Sequence, residues 1–181
     1  MAQRRAIQRA EAAVRKLLAF WGTRDVEQLC KNLGIALYPR SNFQQLKGMY
    51  AVVEGRPCIF YKDSLSEEEK KLILAHELGH DQLHRELAEK QILIRDHMFL
   101  DMSSRPELEA NLFAAELLIS DESFLDYAQQ GYSLEQLAAA LAFPMDLLRL
   151  KAEILKEKGE PLQLSEPLSA HFSFGGGKDK I

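Results

Sequence analysis

Two histidines stand four residues apart in the segment His76-Glu77-Leu78-Gly79-His80, with a glutamate directly after the first. On an α-helix that spacing brings both imidazoles to one face about one turn apart, roughly 6 Å along the axis, so both can reach one ion. Zinc suits the pair: with Zn–N distances of about 2.0–2.1 Å and a tetrahedral preference, two nitrogens leave one position for a further protein ligand and one for water. The open position is what allows hydrolysis. Glu77 can take a proton from the water, while Zn2+ lowers the water's pKa toward about 7 and polarises a scissile carbonyl. Gly79 is expected to leave room beside the metal.

The third protein ligand has several candidates. The extended metzincin pattern is excluded, because the position ten residues after the first histidine is Glu86 and the required glycine is missing. His84 continues the four-residue series, but a straight helix drifts about 40° over four residues, so three successive histidines do not easily share one tetrahedral ion. A capping, packing or substrate-cleft role suits His84 better. A second helical segment from Pro106 to Glu116 offers carboxylates. Glu107 and Asn111 share a face of it, and Glu109 points elsewhere. Ser104-Arg105-Pro106-Glu107 is also a capping-box pattern, which would occupy Glu107 with backbone amide, and Glu109 is then the fallback ligand. Asn111 is either a partner that orients a metal-bound histidine or a solvated polar residue.

The elements that must position these groups follow from periodicity. Ala6, Ala10, Val14, Leu17, Leu18 and Trp21 recur at helical spacing and stop at Gly22. Thr23 is the expected cap of a second helix through Val26, Leu29 and Cys30 to Gly34, with a short strand over 35–38 behind it. The β-branched and aromatic runs 48–53 and 57–61 predict a hairpin turning at Glu54-Gly55-Arg56. Ser66-Glu67-Glu68-Glu69 is a capping box that opens the long helix carrying the histidines. Residues 91–103 show no clear period and read as an ordered loop with room for a strand. A helix from Ser104 to Leu118 follows, then helical patterns at about 121–130, 133–142 and 145–158. The expected fold is α+β, mainly helical, with a small sheet of about three strands packed on the motif helix. The expected division is a site-bearing domain over 1–120 with helix 1–22 packed on it, a helical subdomain over 121–158, and an extended or partly disordered tail over 159–181.

Composition narrows the function classes. With 181 residues, 46% of them hydrophobic, the chain can bury a real core. A net charge of −4 gives no general electrostatic reason for nucleic-acid binding. Residues 133–144 have the cadence of a helix-turn-helix, but the would-be recognition helix offers only Arg149 and Lys151 beside Asp146 and Glu153, so direct DNA binding is not expected. Cys30 and Cys58 read as two buried free thiols of a reducing cytosol. Arg4, Arg5, Arg9, Arg15 and Lys16 interrupt the N-terminal segment too often for a secretory signal, and no apolar run is long enough to cross a bilayer. A soluble, cytoplasmic protein without membrane partners is the expectation.

Three segments resemble the ImmA/IrrE-type metallopeptidases: Ile73 to His80 with Leu83-His84 behind it, Glu107 to Leu118, and the strand Ile59-Phe60-Tyr61 that leads into the motif helix. The likeness runs from about residue 23 to 155. It implies a zincin-like domain over 1–120 with a gluzincin-like site, in which His76, His80 and Glu107 are zinc ligands and Glu77 is the general base. Glu107 is chosen over Glu109 because the ligand in such enzymes stands three residues before the alanine. It also implies a substrate, a helix-turn-helix transcriptional repressor whose cleavage derepresses mobile-element or stress-response genes. The other reading keeps the zinc but works by binding a repressor or DNA without proteolysis. Two departures stand out. Ile119-Ser120 replaces the usual Met-Pro, and the tail beyond about Pro161 matches nothing in the family, so Phe172 and Phe174 could lie along the cleft as an inhibitory segment.

Overall fold

The computed structural model describes residues 2–90, 94–96, 104–162 and 164, with the backbone alone for 94–96. Helix α1 (Ala2–Trp21) buries Ala6, Ile7, Ala10, Val14 and Leu17 along one stripe and leaves its arginines outward, as a 3.6-residue period requires. Helix α2 (Val26–Asn32) is capped by Asp25, whose carboxylate accepts the Gln28 N–H at 2.9 Å. The expected cap, Thr23, instead accepts the Asp25 N–H. Starting the helix at Val26 turns Val26, Leu29 and Cys30 into the core, which puts Asp25 at the N-cap.

Strands β1 (Ala36–Arg40), β2 (Gly48–Val53), β3 (Arg56–Lys62) and β4 (Ile94–Asp96) form one sheet in the order β1-β3-β2-β4. β1 runs parallel to β3, whereas β2 is antiparallel to both β3 and β4. The β2–β3 hairpin turns on Glu54 and Gly55, with φ of 49° and 77°, the two consecutive left-handed residues that a type I′ turn needs. The three expected strands are joined by β4, which pairs its Asp96 with Gly48. The rest of 91–103 lies outside the described residues.

Helix α3 (Glu67–Glu89) opens with the capping box formed in both directions between Ser66 and Glu69. Every residue from Leu72 to Asp81 is buried, because this stretch is enclosed between the sheet and helix α4 (Arg105–Leu118). The two helices cross at close quarters. A Cβ placed on Gly79 would lie 3.1 Å from the Ala110 Cα and 3.2 Å from its carbonyl oxygen. Gly79 therefore makes room for the α4 backbone. α3 also departs from helical geometry at His84, where φ is −134° and ψ 16°.

Helices α5 (Asp121–Gln129), α6 (Leu134–Leu141) and α7 (Met145–Lys158) complete the described chain. Leu147, Leu148, Ile154 and Leu155 of α7 join one hydrophobic core with Leu112, Phe113 and Leu117 of α4 and with α1. Lys151, fully buried, bonds Glu116 at 2.5 Å and also Asp121, and Lys158 bonds both carboxylates at 2.7 Å. α7 ends at Gly159 in the left-handed conformation. Most of the tail, including Phe172 and Phe174, lies outside the described residues. Cys30 and Cys58 are both buried free thiols, and burial pushes Cys30 up to about 12. Among the described residues no helix is long and apolar enough to cross a membrane.

Candidate metal centre

The buried stretch of α3 presents His76 and His80 toward the first turn of α4. Their Nε2 atoms face each other at 3.1 Å. Glu107 lies opposite, with Oε2 3.2 Å from His76 Nε2 and Oε1 3.6 Å from His80 Nε2. A tetrahedron with metal–ligand arms of about 2.0–2.1 Å has edges of about 3.3–3.4 Å, so the three separations bracket what a zinc-sized ion needs. Glu107 Oε2 is buried and in contact with the imidazole, yet has no hydrogen-bond partner, a costly state that a cation would relieve. These three residues are the group, among the described residues, whose donor atoms converge closely enough to hold a metal ion. Burial lowers His80 to about 4 against the opposing pull of Glu107, which keeps its ring neutral and available as a ligand near neutral pH. Glu107 is held down at about 2, burial being outweighed by its contacts with the two imidazoles.

The amino-acid comparisons agree with this arrangement. Residues 30–158 match the family model of the M78 peptidases, described as the IrrE N-terminal-like domain. The chain belongs to this family. It is thus a metallopeptidase of the ImmA/IrrE type. It is 28% identical over 141 residues to a Bacillus phage phi105 protein named uncharacterized immunity region protein 2, covering 78% of this chain and 87% of that one. It is 27% identical over 134 residues to metallopeptidase ImmA of Bacillus subtilis strain 168, covering 72% and 76%.

The arrangement depends on a local choice at the start of α4. Ser104 caps α4 by accepting the Glu107 N–H at 3.4 Å, but the reciprocal half of the capping box is not made, and the Glu107 carboxylate turns to the histidines. Asn111, one turn further along α4, brings its Oδ1 to 2.8 Å from His76 Nδ1, the orienting contact that was one of its two readings. Glu77 is buried on α3 under the start of β2. A Cβ on Gly48 would sit 2.5 Å from Glu77 Oε1 and 2.5 Å from Ile73 Cγ2. The bare backbone at Gly48 thus leaves the Glu77 carboxylate its space.

Glu109 does point away from the three converging donors. It meets His84, whose Nε2 is 3.1 Å from Glu109 Oε2, while His84 Nδ1 is 3.1 Å from His80 Nδ1. Arg9 of α1 and Arg105 of α4 bond the same carboxylate. Burial raises Glu109, but the bonds from Arg105 and His84 outweigh it and hold the group low. Sequence reasoning missed Gly48, Arg9, Arg105 and the link between His84 and Glu109. The four-residue step from His80 to His84 was a signal for the last. Nothing in the sequence marked Arg9.

Proposed function

We propose that this protein is a zinc-dependent endopeptidase that cleaves a helix-turn-helix transcriptional repressor and so derepresses mobile-element or stress genes. His76, His80 and Glu107 are its metal ligands and Glu77 its general base. The observation that carries this reading is the meeting of two imidazole nitrogens and a carboxylate at separations of 3.1–3.6 Å beside a buried glutamate. The phage relative's immunity-region name supports a repressor as substrate. Direct DNA binding is disfavoured by the fate of the cations on α7: Lys151 is buried against Glu116 and Asp121, and Arg149 pairs with Asp146.

A divalent ion in this site supplies Lewis acidity, stabilising negative charge on the scissile carbonyl oxygen and easing ionisation of the attacking water. Glu77 accepts the water proton as the nucleophile attacks, then returns it to the departing amine nitrogen. Asn111 holds the His76 ring in place, so the ligands do not have to reorganise during the reaction. Burial of Glu77 strengthens its interaction with the migrating proton.

The test is to measure zinc in the purified protein, then mix wild type and Glu77→Gln with the helix-turn-helix regulator encoded beside it. Cleavage by wild type alone supports the proposal. Activity retained in Glu77→Gln sinks the mechanism, and stable binding of the regulator without cutting by either form favours the binding alternative.

A further inference from the structure

The polar chain behind His80 runs from the metal centre to the surface of α1, and its protons can be placed one by one. Glu109, clasped by the guanidinium groups of Arg9 and Arg105, is an ionised carboxylate and can only accept. His84 Nε2, 3.1 Å from it, must therefore carry a proton. In the neutral ring that leaves His84 Nδ1 as an acceptor, and its neighbour at 3.1 Å, His80 Nδ1, must be the donor. His80 is then left with a bare lone pair on Nε2, the atom that faces His76 and Glu107. Reversing any link would leave two donors or two acceptors facing each other in a buried chain.

The backbone is built around this chain. α3 leaves helical geometry at His84, and Arg9 Nη2 reaches the carbonyl of Leu83, the residue before the kink, at 3.2 Å. One arginine thus bonds both the kinked backbone and the carboxylate that His84 meets. Arg9 lies on α1, outside residues 30–158 matched by the family model.

We propose that His84 and Glu109 are positioning residues which, anchored by Arg9 and Arg105, lock His80 in the tautomer that turns its Nε2 lone pair toward the metal. The N-terminal helix is by this route a working support of the metal centre. The proposal rests on His80 being a ligand. An ion-binding imidazole whose other nitrogen donates to an anchored acceptor is better oriented and more basic, and loss of such a partner typically weakens metal binding by about 10–100-fold.

The test is zinc affinity measured by competition with a chromophoric chelator, beside the melting temperature of each metal-free variant. His80→Ala, which addresses the ligand assignment alone, is expected to lose tight zinc binding. His84→Phe keeps the bulk but breaks the chain, and its affinity is expected to fall by about 10–100-fold. His84→Gln can accept with its amide oxygen and donate with its amide nitrogen, so its affinity returns to within a few-fold of wild type. Arg9→Leu, on the half-exposed end of the chain, is expected to weaken zinc by about 3–10-fold while the metal-free protein stays folded. Wild-type affinity in both His84→Phe and Arg9→Leu overturns the proposal, whatever happens to their melting temperatures. Equal losses in His84→Phe and His84→Gln also overturn it, since the ring would then act as a ligand or as packing. Wild-type zinc affinity in His80→Ala removes the ligand assignment itself.

Discussion

Gly48→Ala places one methyl group against Glu77, the proposed general base, without touching a proposed metal ligand. The added Cβ would lie 2.5 Å from Glu77 Oε1, where ordinary contact begins at 3.4 Å, so about 0.9 Å must be found. The strand yields little, because Gly48 pairs with Tyr61 on one side and Asp96 on the other. Ile73 Cγ2, also at 2.5 Å, blocks a shift along the helix. Relief therefore comes mainly from moving the Glu77 carboxylate. A displacement near 1 Å of a reacting group costs about 100-fold in rate, or about 2.7 kcal/mol on the barrier. Overpacking of this size also costs about 1–3 kcal/mol of stability. The variant should bind zinc within a few-fold of wild type, melt a few degrees lower, and cleave the regulator about 100-fold more slowly at saturating substrate. Wild-type turnover in a variant that binds zinc normally would refute the crowding of Glu77. Loss of zinc together with activity would refute the separation of the base from the ligands.

Gly79→Ala should act on stability and metal together, because the new Cβ meets the Ala110 backbone at 3.1 Å and pushes α4, with Glu107 and Asn111, away from α3. A loss of about 1–3 kcal/mol by urea unfolding and faster zinc loss to a chelator are expected. Asn111→Leu removes the acceptor 2.8 Å from His76 Nδ1 and should weaken zinc by about 10–100-fold in the same competition assay, with the fold retained by circular dichroism. Partial burial raises the Asp121 carboxyl, yet the bonds from Lys151 and Lys158 prevail and lower it from the usual 3.8. A carboxyl lowered in the folded state contributes stability above its unfolded pKa, and that contribution fades as pH falls through the folded value. Urea midpoints of wild type should therefore drop below about pH 4 more steeply than those of Asp121→Asn, and parallel curves would disprove the assignment.

Much of the site was legible because its signals are local. A four-residue histidine step is a statement about one helix face, and the capping box at Ser66 fixes where that helix begins. The β2–β3 hairpin was legible for the same reason, its turn being two adjacent residues. Glu107 was harder. Its own sequence neighbourhood allowed a capping box, and whether the carboxylate bonds its own backbone or faces the histidines is decided by how α4 crosses α3.

By itself the sequence determined the motif helix, the placing of His76, His80 and Glu77 on it, and the mainly helical α+β composition, all of which depend on residues within a few turns of one another. Only the tertiary structure decided that Gly48 lies over Glu77, that Asn111 holds His76, and that Arg9, a hundred residues from Glu109, reaches it. Those contacts join segments far apart in the chain, and side-chain types and spacing carry no distance between such segments until the helices pack.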